Sequence, residues 1–240
     1  MRSLKEDFEF YIIPMLNIDG VINGNYRCSL AACDLNRKWI SPSKILHPTV
    51  YSTKLLCSQL LNEQGRSFYL YLDMHGHSIK QNVFQYGNKL ESLDSLKFEH
   101  QPKLFSLLLS KSMDCFSFSD CSFSMAKSKE STARITMFHE LKIPFVFTLE
   151  ASFAGASKGK LSGCHFSLGD LENIGKCVLK CLHQAKTLEG NRNLLKDLNV
   201  EIEAMSRERE DQDQDSDGSS DDGDKVDEPA LDKQQQSKIA

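Results

Sequence analysis

The chain has 240 residues, a formal net charge of −4 and 40 % hydrophobic residues, enough apolar material for one sizeable core. No run approaches the ~18 apolar residues of a membrane span. The opening residues, Met1-Arg-Ser-Leu-Lys-Glu-Asp7, do not have the charge pattern of a secretory signal, so a soluble intracellular protein is expected.

The eight cysteines, at 28, 33, 57, 115, 121, 164, 177 and 181, form no Cys-x-x-Cys pair. Without a secretory signal they read as free thiols in a reducing compartment. The charge is unevenly spread. Residues 201–240 hold 14 acidic and 5 basic side chains, a balance of −9, while residues 1–200 hold 19 acidic and 24 basic, a balance of +5. A mildly basic body of this kind is compatible with an acidic substrate, and equally with ordinary solvated charge.

In chain order, residues 8–14 are a dense run of aromatic and β-branched side chains, which predicts a buried strand. Asn17-Ile-Asp-Gly20 then supplies turn chemistry. Over 50–64, Leu55, Leu56, Leu60 and Leu61 recur at helical spacing, and Gly65 suits the stop. A second buried strand is expected over 67–74, ending at His75-Gly-His77. A short helix over 128–141 and a third strand over 143–149, closed by Glu150, follow. Ser167-Leu-Gly-Asp170 resembles a capping box opening a helix to about Ala185, and a last helix is expected over 194–205.

From Arg207 to Asp224 no residue is apolar, so 206–240 reads as an acidic disordered tail behind a domain spanning 1–205. Strands alternating with helices predict an α/β fold, with a mixed sheet covered by helices on both faces. Such folds place chemistry just past strand C-terminal ends.

Three clusters carry polar side chains suited to chemistry. Arg27, Asn36 and Arg37 lie in a turn-rich segment, where arginines either fork onto a carboxylate or simply face solvent. Asp73, His75 and His77 alternate onto one side of a strand end, as a metal ligand or general base would, or as a satisfied structural histidine. Glu150 closes an apolar strand, where a carboxylate needs either a partner or a task as a base.

Taken together, eight stretches in order, at 14–30, 34–37, 47–51, 73–78, 82–87, 116–119, 127–134 and 148–153, resemble the zinc metallocarboxypeptidases. Within them they are most similar to the cytosolic carboxypeptidases that trim glutamates from protein tails. The resemblance covers roughly residues 6–180. It implies that His75 is a zinc ligand, that Glu150 activates water and shuttles its proton, and that Arg27 polarises the scissile carbonyl. It implies further that Asn36 and Arg37 grip the substrate's C-terminal carboxylate. Arg134, 16 residues before Glu150, is the candidate floor of the specificity pocket, with Lys127 and Lys129 as alternatives and a surface helix position as the plain reading.

The implied function is a zinc-dependent hydrolase removing C-terminal or branched glutamates from acidic tails, tubulin foremost. The implied place is the cytoplasm, with microtubule or cilium association and no nucleic-acid or membrane partner.

The sequence also departs from the family. Its first two zinc ligands come from a His-x-x-Glu motif upstream of the segment that here begins at Asn17, and the first histidine in this chain is His47. Only one of three family ligands is present, and the leading strands are missing. The expectation is a fragment of an active enzyme, inactive alone. The alternatives are a short paralogue that binds glutamate-rich tails without cutting, or a metal site rebuilt from His75, His77 and Cys164. Ile18 replaces a usual proline, and 116–132 offers no tyrosine for the family's substrate-closing role.

Overall fold

The structure, a computed structural model, describes residues 4–63, 67–89, 101–143, 145–189 and 191–215, without the side chains of Gln101, Arg192 and 208–215. Helices α1 (Leu4–Asp7), α2 (Ile18–Asn23) and α3 (Pro48–Asn62) precede strands β1 (Tyr71–His77) and β2 (Val83–Tyr86). Helices α4 (Gln101–Ser112) and α5 (Ala133–Glu140), strand β3 (Val146–Ser152), and helices α6 (Leu168–Leu188) and α7 (Arg192–Asp215) follow.

The three strands form one sheet in the order β1-β3-β2. β1 runs parallel to β3, in register from Tyr71 opposite Val146 to His77 opposite Ser152, and β2 pairs antiparallel on the other side of β3. This is the mixed α/β sheet the sequence predicts, and helices cover both faces. Alternation along β3 sends successive side chains to opposite sides. Val146 joins a cluster with Trp39, Val50 and Cys57 of α3, and Ala133 and Met137 of α5. Phe147 and Leu149 join a larger cluster with α4, α6 and α7, where Phe147 stacks on Phe105 at 5.5 Å. The period therefore assigns Glu150 to the α3–α5 side.

Residues 8–14 are not a strand. They make no ladder with any described residue. An apolar run becomes a strand only where another edge satisfies its backbone groups; here Phe8 packs edge-on against Tyr69 at 5.0 Å, and the chain beyond runs exposed, with Ile12 at 82 %. β1 starts four residues later than expected and runs three further, because its bounds are set by pairing with β3 and not by hydropathy.

The Asn17 turn winds into α2, and the capping box at Ser167 and Asp170 forms as predicted. Gly65 lies outside the described residues. The last helix passes the expected end at 205 and runs to Asp215, docked by fully buried Ile202 with Leu195, Leu198 and Met205. Residues 216–240 of the expected tail lie outside the described residues. Among those described, no helix is long and apolar enough to cross a membrane.

Asn82 ties the sheet end to the loop after β3. Its Nδ2 donates to Ser157 Oγ at 2.9 Å, its Oδ1 accepts from Ser157 N at 2.9 Å, and its φ is +72°, a conformation that asparagine tolerates better than most residues. Asn82→Ala should destabilise the fold by about 1–2 kcal/mol through the loss of these partly buried bonds. Urea unfolding measures it; a change indistinguishable from zero would mean that the loop is not held by this side chain.

Candidate active site

The parallel register puts His75 directly opposite Glu150 at neighbouring strand ends. Gly76 lies against the Phe153 ring, which a Cβ at this position would displace. His75 Nε2 lies 2.9 Å from Asp73 Oδ2, and His75 Nδ1 lies 3.9 Å from Glu150 Oε1. Glu150 is only 7 % exposed. Burial works against the imidazolium, but the hydrogen bond to Asp73 and the charges of Asp73 and Glu150 outweigh it and raise the His75 pKa, with Arg27 opposing.

The Arg27 segment is shaped by asparagines. Asn17 caps α2 by accepting from Gly20 N at 3.2 Å and donates to Arg27 O at 3.1 Å. Asn25 donates to Cys28 O at 3.0 Å. The Arg27 guanidinium then reaches Asp34, Nε to Oδ2 at 2.8 Å. Asp34 opens a single helical turn, Leu35–Arg37, by accepting from Asn36 N at 2.8 Å, and Arg37 Nη1 lies 3.7 Å from the same Oδ2. Asn36 Oδ1 accepts from Ala133 N at 2.9 Å. That bond fixes the amide's orientation and turns its Nδ2 donors the other way.

Arg134 follows Ala133 in the first turn of α5 and is 7 % exposed, so it is not a surface helix residue. Its Nη1 donates to Asn88 Oδ1 at 2.8 Å, to Gly87 O and to Ser124 O. Burial lowers its pKa to about 10, partly offset by Tyr86. Lys127 and Lys129 sit on a separate short turn, Lys127–Lys129, with no buried residue. His77 serves the backbone: its Nδ1 accepts from Ile79 N at 3.3 Å and Lys80 N at 2.9 Å. Cys164 is exposed.

The structure therefore gathers Asp73, His75 and Glu150 in contact, and Arg27, Asn36 and Arg37 around one carboxylate. The sequence reading gives no role to Asp34. Its one signal is an aspartate placed to cap a turn between two arginines.

A family metal can be tested against these side chains. A catalytic zinc takes three protein ligands and an open position. Among the described residues no three His, Cys, Asp or Glu side chains gather to hold a metal. The described residues do not by themselves form a zinc site.

No family model matches the chain, but individual relatives do. It is 46 % identical over 176 residues to cytosolic carboxypeptidase 3 of Mus musculus, covering 72 % of this chain and 17 % of the relative. It is 41 % identical over 188 residues to cytosolic carboxypeptidase 1 of Homo sapiens, covering 72 % of this chain and 15 % of the relative. The chain thus spans less than a fifth of the length of these relatives. Its fold matches a metallo-carboxypeptidase from Burkholderia cenocepacia with a TM-score of 0.59 at 18 % identity, over 73 % of this chain and 44 % of that one. A metallo-carboxypeptidase from Pseudomonas aeruginosa gives 0.59 at 24 % identity, over 70 % and 43 %. At such identities these likenesses concern the fold. The relatives carry the kinship: with two of them at 46 % and 41 % identity along 72 % of its length, the chain belongs to the cytosolic carboxypeptidase family.

Proposed function

We propose that this chain carries the substrate-gripping part of a carboxypeptidase that removes C-terminal or branched glutamates from acidic protein tails, tubulin's among them, in the cytosol and at microtubules or cilia. The observation behind this reading is the cluster of Arg27, Asn36 and Arg37 on Asp34.

Arg37 offers a planar fork to a terminal carboxylate, and Asn36, its Oδ1 spent on Ala133, offers amide donors. Arg27 supplies positive charge where a scissile carbonyl becomes an oxyanion. Glu150, buried and beside His75, takes a proton from the attacking water and returns it to the leaving amine. To Arg134 we assign the reading of a glutamate side chain. The family's zinc would polarise the carbonyl and the water, with His75 as this chain's one donor.

A second reading is favoured by the lack of a three-ligand group among the described residues: the chain binds glutamate-rich tails without cutting them. Both readings require recognition of a free carboxylate. N-acetyl-L-glutamate should bind the chain in an NMR titration, and its α-amide should bind about tenfold more weakly, the scale of one charge-assisted contact. Arg37→Ala should remove the difference. Equal binding of acid and amide by the wild type would sink the carboxylate grip and both readings with it. A glutamate-release assay on the full-length protein then separates cutting from holding.

A further inference from the structure

Two guanidinium groups set side by side to receive the anionic parts of one ligand repel each other, and something must hold them in place before the ligand arrives. Here the candidate is a single aspartate. Asp34 Oδ2 lies 2.8 Å from Arg27 Nε and 3.7 Å from Arg37 Nη1, and its Oδ1 accepts from Asn36 N at 2.8 Å. Both residues of the proposed grip, and Arg27 beside them, are tied to one side chain, which is only 17 % exposed. The tie continues inward, because Asn36 Oδ1 caps the first turn of α5 at Ala133, next to Arg134.

We propose that Asp34 is the positioning residue of the carboxylate grip: it holds the Arg37 guanidinium and the Asn36 backbone in the arrangement that receives a terminal carboxylate, and holds the Arg27 guanidinium beside them at the scissile carbonyl. This rests on the roles given above to Asn36 and Arg37 on the terminal carboxylate and to Arg27 at the scissile carbonyl. Asp34 does not itself touch the ligand. Its part is preorganisation, with two cations held beside one anion so that a second anion meets a formed site.

Two physical effects pull in opposite directions, which makes the idea testable. If Asp34 were only a bystander charge, Asp34→Asn would leave the two arginines uncompensated, and anion binding would tighten. If Asp34 positions the arginines, the same variant weakens binding although the local charge has become more positive. Asparagine keeps the acceptor oxygen that caps the turn, so the Leu35–Arg37 turn has its bond in both cases.

The experiment uses the chain as it stands, with N-acetyl-L-glutamate as probe and two NMR readouts: the titration affinity and the solvent exchange of the Arg27 Nε–Hε proton. In the wild type this proton should be protected by Asp34. Asp34→Asn should lose the protection and bind the probe about tenfold more weakly, the scale of a charge-assisted bond, while the amide signals of α6 stay in place as the mark of an intact fold. Asp34→Glu, which restores the charge with a longer reach, should recover part of both readouts. Unchanged or tighter binding by Asp34→Asn overturns the proposal. So does fast exchange of Arg27 Hε in the wild type, which needs no variant at all. A protected Hε in a wild type that does not bind the probe supports Asp34 as the anchor of Arg27 and overturns the grip reading instead.

Discussion

Arg134→Ala is expected to lower the stability of the chain by about 2–4 kcal/mol, the loss of several bonds from a charged donor less the relief of not burying a guanidinium. The side chain is buried, and Nη1 donates to Gly87 O, Asn88 Oδ1 and Ser124 O. Asn88 answers by donating Nδ2 to Arg134 O at 3.3 Å. With a pKa of about 10 the group is charged at neutral pH, so its removal strands acceptors between β2, the segment near Ser124 and α5. Arg134→Lys keeps the charge without the fork and should recover only part of the loss. Urea unfolding of the three proteins decides it. A change in the range of exposed ion pairs, below ~1 kcal/mol, would show that these bonds are screened as at a surface.

The same pair of variants tests specificity. If Arg134 reads the substrate's last side chain, Arg134→Lys, which is expected to fold, should narrow the preference of N-acetyl-L-glutamate over N-acetyl-L-alanine. An unchanged preference would leave Arg134 a structural cation alone.

The sheet's existence is legible in the sequence, and so is the position of His75 and Glu150 toward the C-terminal ends of their strands, although both strands run two residues past them. An apolar run too short for a helix, closed by a charged or titratable residue, marks a buried strand that surfaces at its end. This chain has two such runs, one closed by His75 and one by Glu150. The strand bounds are not legible. They follow from the register that sets Tyr71 opposite Val146, and pairing partners leave no local mark. Residues 8–14 show the converse. Their composition is that of a strand, but composition cannot supply a neighbouring edge, and the structure has them outside the sheet and, beyond Phe8, exposed.

The turn built on Asp34 is not legible, because capping aspartates are common and nothing local says that two arginines meet on this one. Arg134 stands out by its place in the sequence, but its burial and its three acceptors depend on Gly87, Asn88 and Ser124, tens of residues away or on another element. The capping box at Ser167 is legible in full, since every atom it uses lies within four residues.

The purified 240-residue chain is expected to hold far less than one zinc per molecule and to release no glutamate from polyglutamylated peptides. A catalytic zinc needs three protein ligands. The described residues bring no such group together. His75 has Nε2 on Asp73 and Nδ1 toward Glu150, an arrangement that orients one imidazole and supplies no second nitrogen or sulfur. His77 is committed to the backbone of Ile79 and Lys80. Even a well-oriented single imidazole loses zinc to buffer and chelators, so its geometry cannot compensate for missing donors. The chain should also self-associate. Ile12 at 82 %, Tyr11 at 48 % and Phe10 at 41 % exposure form an apolar stretch, and among the described strands the edge strand β1 pairs only with β3, both features that invite further pairing. Metal analysis after dialysis, a glutamate-release assay and light scattering test the three parts separately. Stoichiometric zinc with glutamate release would mean that donors outside the described residues complete the site around His75, and the chain would then be an enzyme in its own right.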